Sequence, residues 1–148
     1  MLRCDGMAKS FRTREVLRSV TLSVNRGEIL CLCGPSGWGK STILNIAAGV
    51  MEPDRGSCTR DTQRVGYAFQ KDLLLPWRNC LENLLFVLEP LFERRQAMGR
   101  ARQWLSSVGL ASEEKSYPAD MSGGMRKRLA VARALSVEPE LLLLDEPF

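Results

Sequence analysis

The sequence predicts an α/β fold with a largely parallel sheet, and three observations support this. Segments with strand patterns alternate with segments with helix patterns along the 148 residues. A glycine-rich loop at 34–41 lies between a predicted strand and a predicted helix. An apolar run at 141–144 ends in two acidic residues. The length fits one domain over residues 1–148.

Two strands are predicted before the glycine-rich loop. Val20, Leu22 and Val24 alternate with polar residues, which is typical of a half-buried strand, and a turn follows at 25–27. The run at 29–33 is continuously apolar, which predicts a strand covered on both faces. A helix is then expected directly after the loop, over 41–48, with Gly49 at its end.

The middle third of the chain looks like a helical insert. After a short predicted strand at 64–69, the pattern is helical over 79–108, with breaks expected near Pro90 and Gly99. A further helix is predicted from 124 to 135. The apolar run that follows it should be a buried strand.

Histidine is absent from the sequence, which excludes whole classes of chemistry. Ser-His-Asp triads, Cys-His nucleophiles and histidine-containing zinc sites all need an imidazole. Any catalysis must therefore use carboxylates, amides and a metal ion.

The cysteine count and the hydropathy point to an intracellular chain. The five cysteines are odd in number and scattered, so reduced thiols are expected, with a disulfide or a metal role as the less favoured alternative. Cys31 and Cys33 stand in an apolar run and should be buried. No apolar stretch reaches the roughly 18 residues that cross a bilayer, and no secretory signal is evident. The expected location is the cytoplasm.

The net charge of +4 is too dispersed to indicate nucleic acid as a partner. The densest basic clusters, at 94–95 and 126–128, are only two or three residues long. Solvated helix faces explain them better.

The glycine-rich loop matches the phosphate-binding pattern G-x-x-x-x-G-K-[ST]. With the residue that follows, it reads Gly34, Pro35, Ser36, Gly37, Trp38, Gly39, Lys40, Ser41 and Thr42. Glycines let backbone N–H groups surround phosphate oxygens, and the following helix adds its positive end. Lys40 should reach the outer phosphates, and Ser41 should bind Mg²⁺. The sequence therefore predicts a site for ATP with Mg²⁺.

The acidic pair after the last apolar run has the form of a second nucleotide motif. Asp145 would hold Mg²⁺ through water, while Glu146 would orient and deprotonate the attacking water. Taken alone, two acids could simply cap a strand. Their presence beside a phosphate loop favours the catalytic interpretation.

The segment 121–135 closely resembles the signature of ATP-binding cassette (ABC) transporter ATPases. Its Ser122, Gly123, Gly124 and Met125 stand at a helix start, where backbone N–H groups can bind an anion. In that family, the signature of one subunit closes over the γ-phosphate held by the phosphate loop of another. The resemblance thus implies a homodimer or pseudo-dimer that sandwiches two ATP molecules.

Two further positions resemble family motifs. Gln70, after the predicted strand at 64–69, matches the family's glutamine that senses Mg²⁺ and the attacking water. Phe11 matches the aromatic residue that stacks on adenine, although a phenylalanine of the core is an equally good interpretation. With Gln70 added by the resemblance, the expected catalytic set is Lys40, Gln70 and Glu146, and the expected metal set is Ser41, Gln70 and Asp145.

The resemblance also implies a fold and partners. The fold is that of a P-loop nucleotidase with an N-terminal antiparallel part and a helical subdomain over about residues 77–136. The partners are an integral membrane permease and, indirectly, a solute-binding protein, which places the chain on the inner face of the cell membrane. Met121, Met125 and the Leu-Leu-Pro-Trp at 74–77 resemble the branch that imports nitrate, sulfonates and taurine.

The sequence stops at Phe148, whereas family members continue through further strands and a histidine that contacts the γ-phosphate. The expectation is an incomplete domain with a gap in its sheet, weak ATP binding or poor folding, and slow or absent hydrolysis. An ATP-binding remnant without hydrolysis or transport is the alternative. DNA-repair and chromosome-organising relatives are disfavoured, because only about fifty residues separate Gln70 from Ser122. A simple P-loop kinase or GTPase would not explain the signature.

Overall fold

The computed structural model describes residues 2–147, which form two compact units divided between Val65 and Gly66. The first unit contains an antiparallel sheet of three strands in the order β2-β1-β3. The strands are β1 (Leu2–Phe11), β2 (Arg14–Val24) and β3 (Arg55–Arg60), and the helix α1 spans Lys40–Ala48. The half-buried strand predicted around Val20–Val24 is confirmed as part of β2.

Helix α1 confirms the helix predicted after the glycine-rich loop. It begins one residue earlier than predicted and ends where predicted, at Ala48. Gly49 has a φ of 74°, and its N–H contacts the carbonyl oxygens of Asn45 and Ile46. Glycine suits this left-handed position because it has no Cβ to clash.

The strand predicted at 29–33 is wrong. This run joins neither sheet among the described residues, and Ile29 is 97% exposed. Cys31 and Cys33, expected to be buried, are exposed as well. An apolar run becomes a strand only where its backbone groups find a ladder partner, and neither described sheet takes this run in.

Cys4 and Cys58 form a disulfide between β1 and β3, which corrects the expectation of reduced thiols for this pair. The two residues are direct partners in the register of the antiparallel pair, and their Cα atoms lie 4.0 Å apart. Because 54 residues separate them along the chain, only the strand register brings them together.

The second unit contains a two-stranded sheet and three helices. The elements are β4 (Val65–Ala68), whose first residue is the last of the first unit, α2 (Cys80–Leu88), α3 (Arg94–Ser107), α4 (Gly123–Ser136) and β5 (Leu141–Leu144). Two short 3₁₀ turns lie at Ala111–Glu113 and Pro118–Asp120. The three helices connect β4 to β5, a crossover typical of paired parallel strands. Strands and helices are therefore arranged as an α/β class fold requires.

The three helices of the second unit share one apolar core. Fully or nearly buried side chains from all of them form one cluster, among them Leu84, Leu88, Leu105 and Leu129. Helix α3 contributes Ala97, Ala101 and Leu105 at intervals of four residues. The break predicted at Gly99 is wrong, because this stripe holds α3 continuous across the glycine. The break predicted near Pro90 is confirmed between α2 and α3.

Strand β5 is buried on one face only. Leu141 and Leu143 are 6% and 5% exposed, whereas Leu142 and Leu144 are 37% and 40% exposed. Successive side chains of a strand point to opposite faces, so the four leucines form a half-buried strand, which corrects the expectation of a fully buried one. None of the helices between residues 2 and 147 is long and apolar enough to span a membrane.

Candidate nucleotide-binding site

The phosphate loop of the first unit is closed by its own lysine. Lys40 Nζ donates to the carbonyl oxygens of Gly34, at 2.8 Å, and Pro35, at 2.9 Å. Gly37 and Gly39 have φ values of 80° and 88°, which bend the backbone sharply before the helix. The ammonium therefore lies over the loop that the sequence assigns to phosphate.

Gly39 is the residue at which the loop meets α1, and a side chain at this position would need its neighbours to shift. A Cβ there would lie 2.7 Å from Leu17 Cδ2 and 2.9 Å from Val16 Cγ1. The loop thus packs directly on β2.

The first turn of α1 is suited to an anion. It starts with Lys40, Ser41 and Thr42 and contains no acidic residue. The positive end of the helix and its unpaired N–H groups are therefore not neutralised by a carboxylate. Ser36 is exposed and Trp38 is 71% exposed, so the loop faces solvent.

Phe11 ends β1 and is 44% exposed. Phe11 is therefore not part of the buried core of residues 2–147. An exposed aromatic ring is available for stacking on a planar ligand. Its assignment to adenine remains a prediction.

Gln70 and Glu146 meet at the ends of β4 and β5. Gln70 Nε2 donates to Glu146 Oε2 at 2.9 Å. Asp145 is only 6% exposed, and its N–H donates to the Ala68 carbonyl oxygen at 3.0 Å. Within the second unit, the sheet therefore brings three predicted site residues to one end, with a buried Asp145 and an exposed Glu146.

Tyr67 is a partly buried neighbour of Asp145. Burial, together with the negative charge of Asp145, raises the pKa of Tyr67 to about 12. Its ring stacks on Phe69 with centroids 3.8 Å apart. Tyr67 therefore remains a neutral phenol at physiological pH.

The residues Ser122–Met125, called the signature turn below, stand at the start of α4. The Ser122 side chain accepts a hydrogen bond from the Met125 N–H at 3.2 Å and so caps the helix. Ser122, Gly123 and Gly124 are exposed, whereas Met125 is half-buried against the apolar core. The backbone of the turn is thus accessible to an anion from outside the unit.

The basic residues that follow the signature are not merely solvated, which corrects the interpretation from sequence. Arg126 pairs with Asp72, Lys127 Nζ contacts the Glu146 carbonyl oxygen at 3.3 Å, and Arg128 contacts the Val108 carbonyl oxygen at 2.7 Å. Sequence reasoning missed these roles. The only available signal was the position of the cluster directly after the signature.

Comparison with curated proteins finds taurine import ATP-binding proteins. The chain is 45% identical over 159 residues to the protein TauB of Pseudomonas aeruginosa (strain UCBPP-PA14), covering 99% of this chain and 60% of that protein. It is 40% identical over 156 residues to TauB of Escherichia coli (strain K12), covering 100% and 61%. The chain therefore spans about 60% of the length of these relatives.

Comparison with solved structures finds ATP-binding cassettes. The chain superimposes with a TM-score of 0.93 on a dimeric, post-hydrolysis structure of the cassette MJ0796 bound to ADP and Pi. The sequence identity is 28%, and the match covers 99% of this chain and 74% of the other. A second dimeric structure of MJ0796, described as a bacterial ABC transporter cassette, matches equally well. The predicted fold class is thereby confirmed.

A family model gives the same assignment. The model described as ABC transporter matches residues 17–148, which include the phosphate loop, Gln70, the signature turn and the Asp145–Glu146 pair. The four motifs lie in the order that the resemblance requires. On this match, and on the relatives above, the chain belongs to the ABC transporter family.

Proposed function

We propose that the chain binds Mg-ATP and forms part of the ATP-binding subunit of an importer. The observation that carries this proposal is the phosphate loop, in which Lys40 spans the loop at the start of an acid-free helix. A lysine ammonium has three donors, so it can exchange its two carbonyl contacts for phosphate oxygens. The positive end of α1 favours the same ligand.

The residues proposed to bind nucleotide fall into three groups. Those of the loop are Gly34, Pro35, Ser36, Gly37, Trp38, Gly39, Lys40, Ser41 and Thr42. The exposed ring of Phe11 would stack on adenine. The turn Ser122–Met125 would contact the γ-phosphate held by a second ATPase subunit, because Ser122, Gly123 and Gly124 are exposed at the start of a helix.

Magnesium is the metal that suits the oxygen donors proposed here, each taken by itself. Ser41 has a hydroxyl, Gln70 an amide oxygen and Asp145 a carboxylate, and Mg²⁺ prefers such hard oxygen ligands together with phosphates and waters. No cluster of three or more His, Cys, Asp or Glu occurs within residues 2–147, so we assign no purely protein-held site. When bound, Mg²⁺ would neutralise charge on the transferred phosphoryl group.

Glu146 is proposed to act on the attacking water. Its carboxylate is exposed and can accept a proton from the attacking water. The amide of Gln70 holds one carboxylate oxygen, which orients the other. Lys40 would stabilise the charge that develops on the phosphoryl oxygens.

The partners and substrate follow from the relatives. They are named as taurine import proteins, and the solved neighbours are dimeric cassettes. We therefore infer a homodimer or pseudo-dimer that couples ATP hydrolysis to uptake of taurine-like small solutes. The inferred subunit attaches from the cytoplasm to a membrane permease, which receives its solute from a binding protein. No nucleic acid is involved.

Tryptophan fluorescence provides the test of binding, because Trp38 lies in the phosphate loop. Titration with Mg-ATP should give a saturable change in the native chain. Lys40→Ala should weaken binding about tenfold or more, since a charge-assisted hydrogen bond is lost. Lys115→Ala, which removes an exposed lysine of the second unit, should bind like the native chain. Equal affinities of native chain and Lys40→Ala would overturn the proposal.

Release of inorganic phosphate separates turnover from binding. Glu146→Gln should retain ATP binding and release no phosphate above background, because an amide cannot accept the proton of the water. Phosphate release by Glu146→Gln at the native rate would remove Glu146 from the mechanism. Binding without release by the native chain would instead favour a remnant that does not hydrolyse ATP.

A further inference from the structure

One guanidinium, that of Arg126, contacts both segments of the second unit that are proposed to bind nucleotide. Its Nε donates to Asp72 Oδ2 at 3.0 Å, and its Nη1 donates to the Met121 carbonyl oxygen at 2.6 Å. Asp72 lies two residues after Gln70, and Met121 directly precedes Ser122. The guanidinium is therefore a physical connection between the segment of Gln70 and the signature turn.

The environment of this contact makes it stronger than an ordinary surface ion pair. The side chains of Arg126 and Asp72 are 35% and 30% exposed, so solvent screens the pair only in part. Arginine can hold two acceptors in a fixed geometry because its guanidinium is planar and has several donors. One flexible ammonium would not fix both acceptors in the same way.

A second arginine of α4 holds the backbone beyond Gln70. Arg133 Nη2 donates to the carbonyl oxygens of Asp72, at 3.2 Å, and Leu73, at 2.9 Å. Burial lowers the pKa of Arg133, and the charge of Asp72 acts in the opposite direction. A partly buried cation thus satisfies two carbonyl groups of a segment that has no regular structure of its own.

Helix α2 holds the far end of the same segment through Asn83, which is fully buried. Asn83 Oδ1 accepts from the Leu75 N–H at 2.9 Å, and Nδ2 donates to the carbonyl oxygens of Leu75 and Arg78. Between the hydrogen bonds of Arg133 and those of Asn83, Leu73 has a φ of 42°, which is unfavourable for a leucine. Residues 72–78 are therefore a fixed bend rather than a loose loop.

We propose that Arg126 is a positioning residue that makes the Gln70 segment and the signature turn of one chain move together. The proposal rests on the proposed function, in which both segments contact nucleotide. Because Arg133 and Asn83 hold the bend, a displacement of Gln70 cannot be absorbed between 72 and 78. It passes through Asp72 and Arg126 to the backbone at Met121.

Hydrogen exchange without nucleotide tests this mechanical connection, using the whole chain. Asp72→Asn should raise exchange of the amides at 121–126 by about fivefold, because the guanidinium loses a charge-assisted partner worth about 1 kcal/mol after screening. This effect appears about fifty residues from the substitution. A role confined to packing would raise exchange only around residues 70–75.

Three further variants make the test specific. Arg126→Gln should raise exchange in both segments, and the double variant with Asp72→Asn should raise it no further, because both substitutions break one connection. Arg128→Gln removes a neighbouring contact to Val108 and should leave both segments unchanged. Exchange in α3 reports global stability and should stay constant in all variants. Additive effects, or no effect of Asp72→Asn at 121–126, would overturn the proposal.

Addition of Mg-ATP distinguishes this inference from the proposed function. In the native chain, nucleotide should protect both segments. In Arg126→Gln, it should still protect 70–75 and protect 121–126 several-fold less. One outcome is that the variants show the expected exchange rates without nucleotide while Mg-ATP leaves exchange in the native chain unchanged. In that case the connection through Arg126 is supported and the proposed function fails. If Mg-ATP protects both segments equally in Arg126→Gln, the connection fails.

Discussion

At the scale of single residues, the side chains proposed to act on ATP already have protein partners. Lys40 contacts two carbonyl oxygens of its own loop, and Gln70 contacts Glu146. A ligand replaces these hydrogen bonds with its own, and because each bond contributes only about 1 kcal/mol net, the exchange of one for another gains little. Affinity at the loop should therefore depend on the sum of many backbone contacts and on the lysine charge.

Alanine substitutions at two glycines of the phosphate loop can distinguish the cost of backbone strain from the cost of a steric clash. Gly37 and Gly39 have φ values of 80° and 88°, but only at Gly39 would an added Cβ lie within 3 Å of side-chain atoms, those of Leu17 and Val16. Gly37→Ala should lower the free energy of unfolding by about 1–2 kcal/mol, through the left-handed conformation alone. Gly39→Ala should cost roughly 1–3 kcal/mol more, through overpacking against β2.

Urea unfolding measures both glycine variants under the same conditions. The difference between their free energies of unfolding gives the cost of the clash at Gly39, because both variants have the same backbone strain. Equal losses of stability would show that Leu17 and Val16 move aside without cost, and that Gly39 is required for its backbone conformation only.

The cysteines should differ sharply in reactivity. Burial, with a smaller effect of Glu113, raises the pKa of Cys80 to about 11, so its thiol stays protonated at pH 8. Cys31 and Cys33 are exposed. Because iodoacetamide attacks the thiolate, mass spectrometry should find Cys31 and Cys33 alkylated in the folded chain and Cys80 alkylated only after denaturation. Equal labelling of Cys80 before denaturation would contradict its burial.

At the scale of elements, the helices of the second unit begin with different capping chemistry. Asn79 and Glu82 form a reciprocal capping box at the start of α2. Ser122 caps α4 with one hydrogen bond. Glu93, at the start of α3, makes no side-chain cap, so α3 depends on its buried alanine and leucine stripe.

These caps predict unequal effects of the same substitution. Asn79→Ala should lower the free energy of unfolding by about 1 kcal/mol, because a backbone N–H of the first turn loses its acceptor. Glu93→Ala occupies the matched position of α3 and should change it by less than about 0.5 kcal/mol. Chemical denaturation of both variants decides the matter. A loss at Glu93 as large as that at Asn79 would contradict the assignment.

At the scale of the whole molecule, the apolar run at 29–33 exposes large apolar side chains to solvent. Ile29 is 97% exposed and Leu30 is 48% exposed, and the run pairs with no described strand. Exposed apolar chain with free backbone groups is a site for association.

Removing one apolar side chain from this run should improve solubility. Ile29→Lys should raise the concentration at which light scattering shows association, because it removes apolar surface and adds repulsion. Thr13→Lys adds the same charge in an exposed turn and measures the effect of repulsion alone. If both variants raise the threshold equally, the run at 29–33 does not drive association.

Local sequence pattern was sufficient to predict the elements that depend on neighbouring residues. The helix after the phosphate loop, the break near Pro90, the strand at 64–69 and the helix after the signature all follow from periodicity and turn residues, and each was found within a few residues of its predicted bounds. The motifs identified the family for a similar reason, because phosphate-binding chemistry needs particular residues at fixed spacing.

Features that depend on partners distant in sequence were settled by the three-dimensional packing alone. Whether an apolar run pairs, as 141–144 does and 29–33 does not, depends on which strand lies beside it. The disulfide of Cys4 with Cys58 depends on strand register, and the contacts of Arg126 depend on where a bend after β4 meets α4. Periodicity reports which face of an element is apolar, but only packing determines what that face and its polar side chains meet.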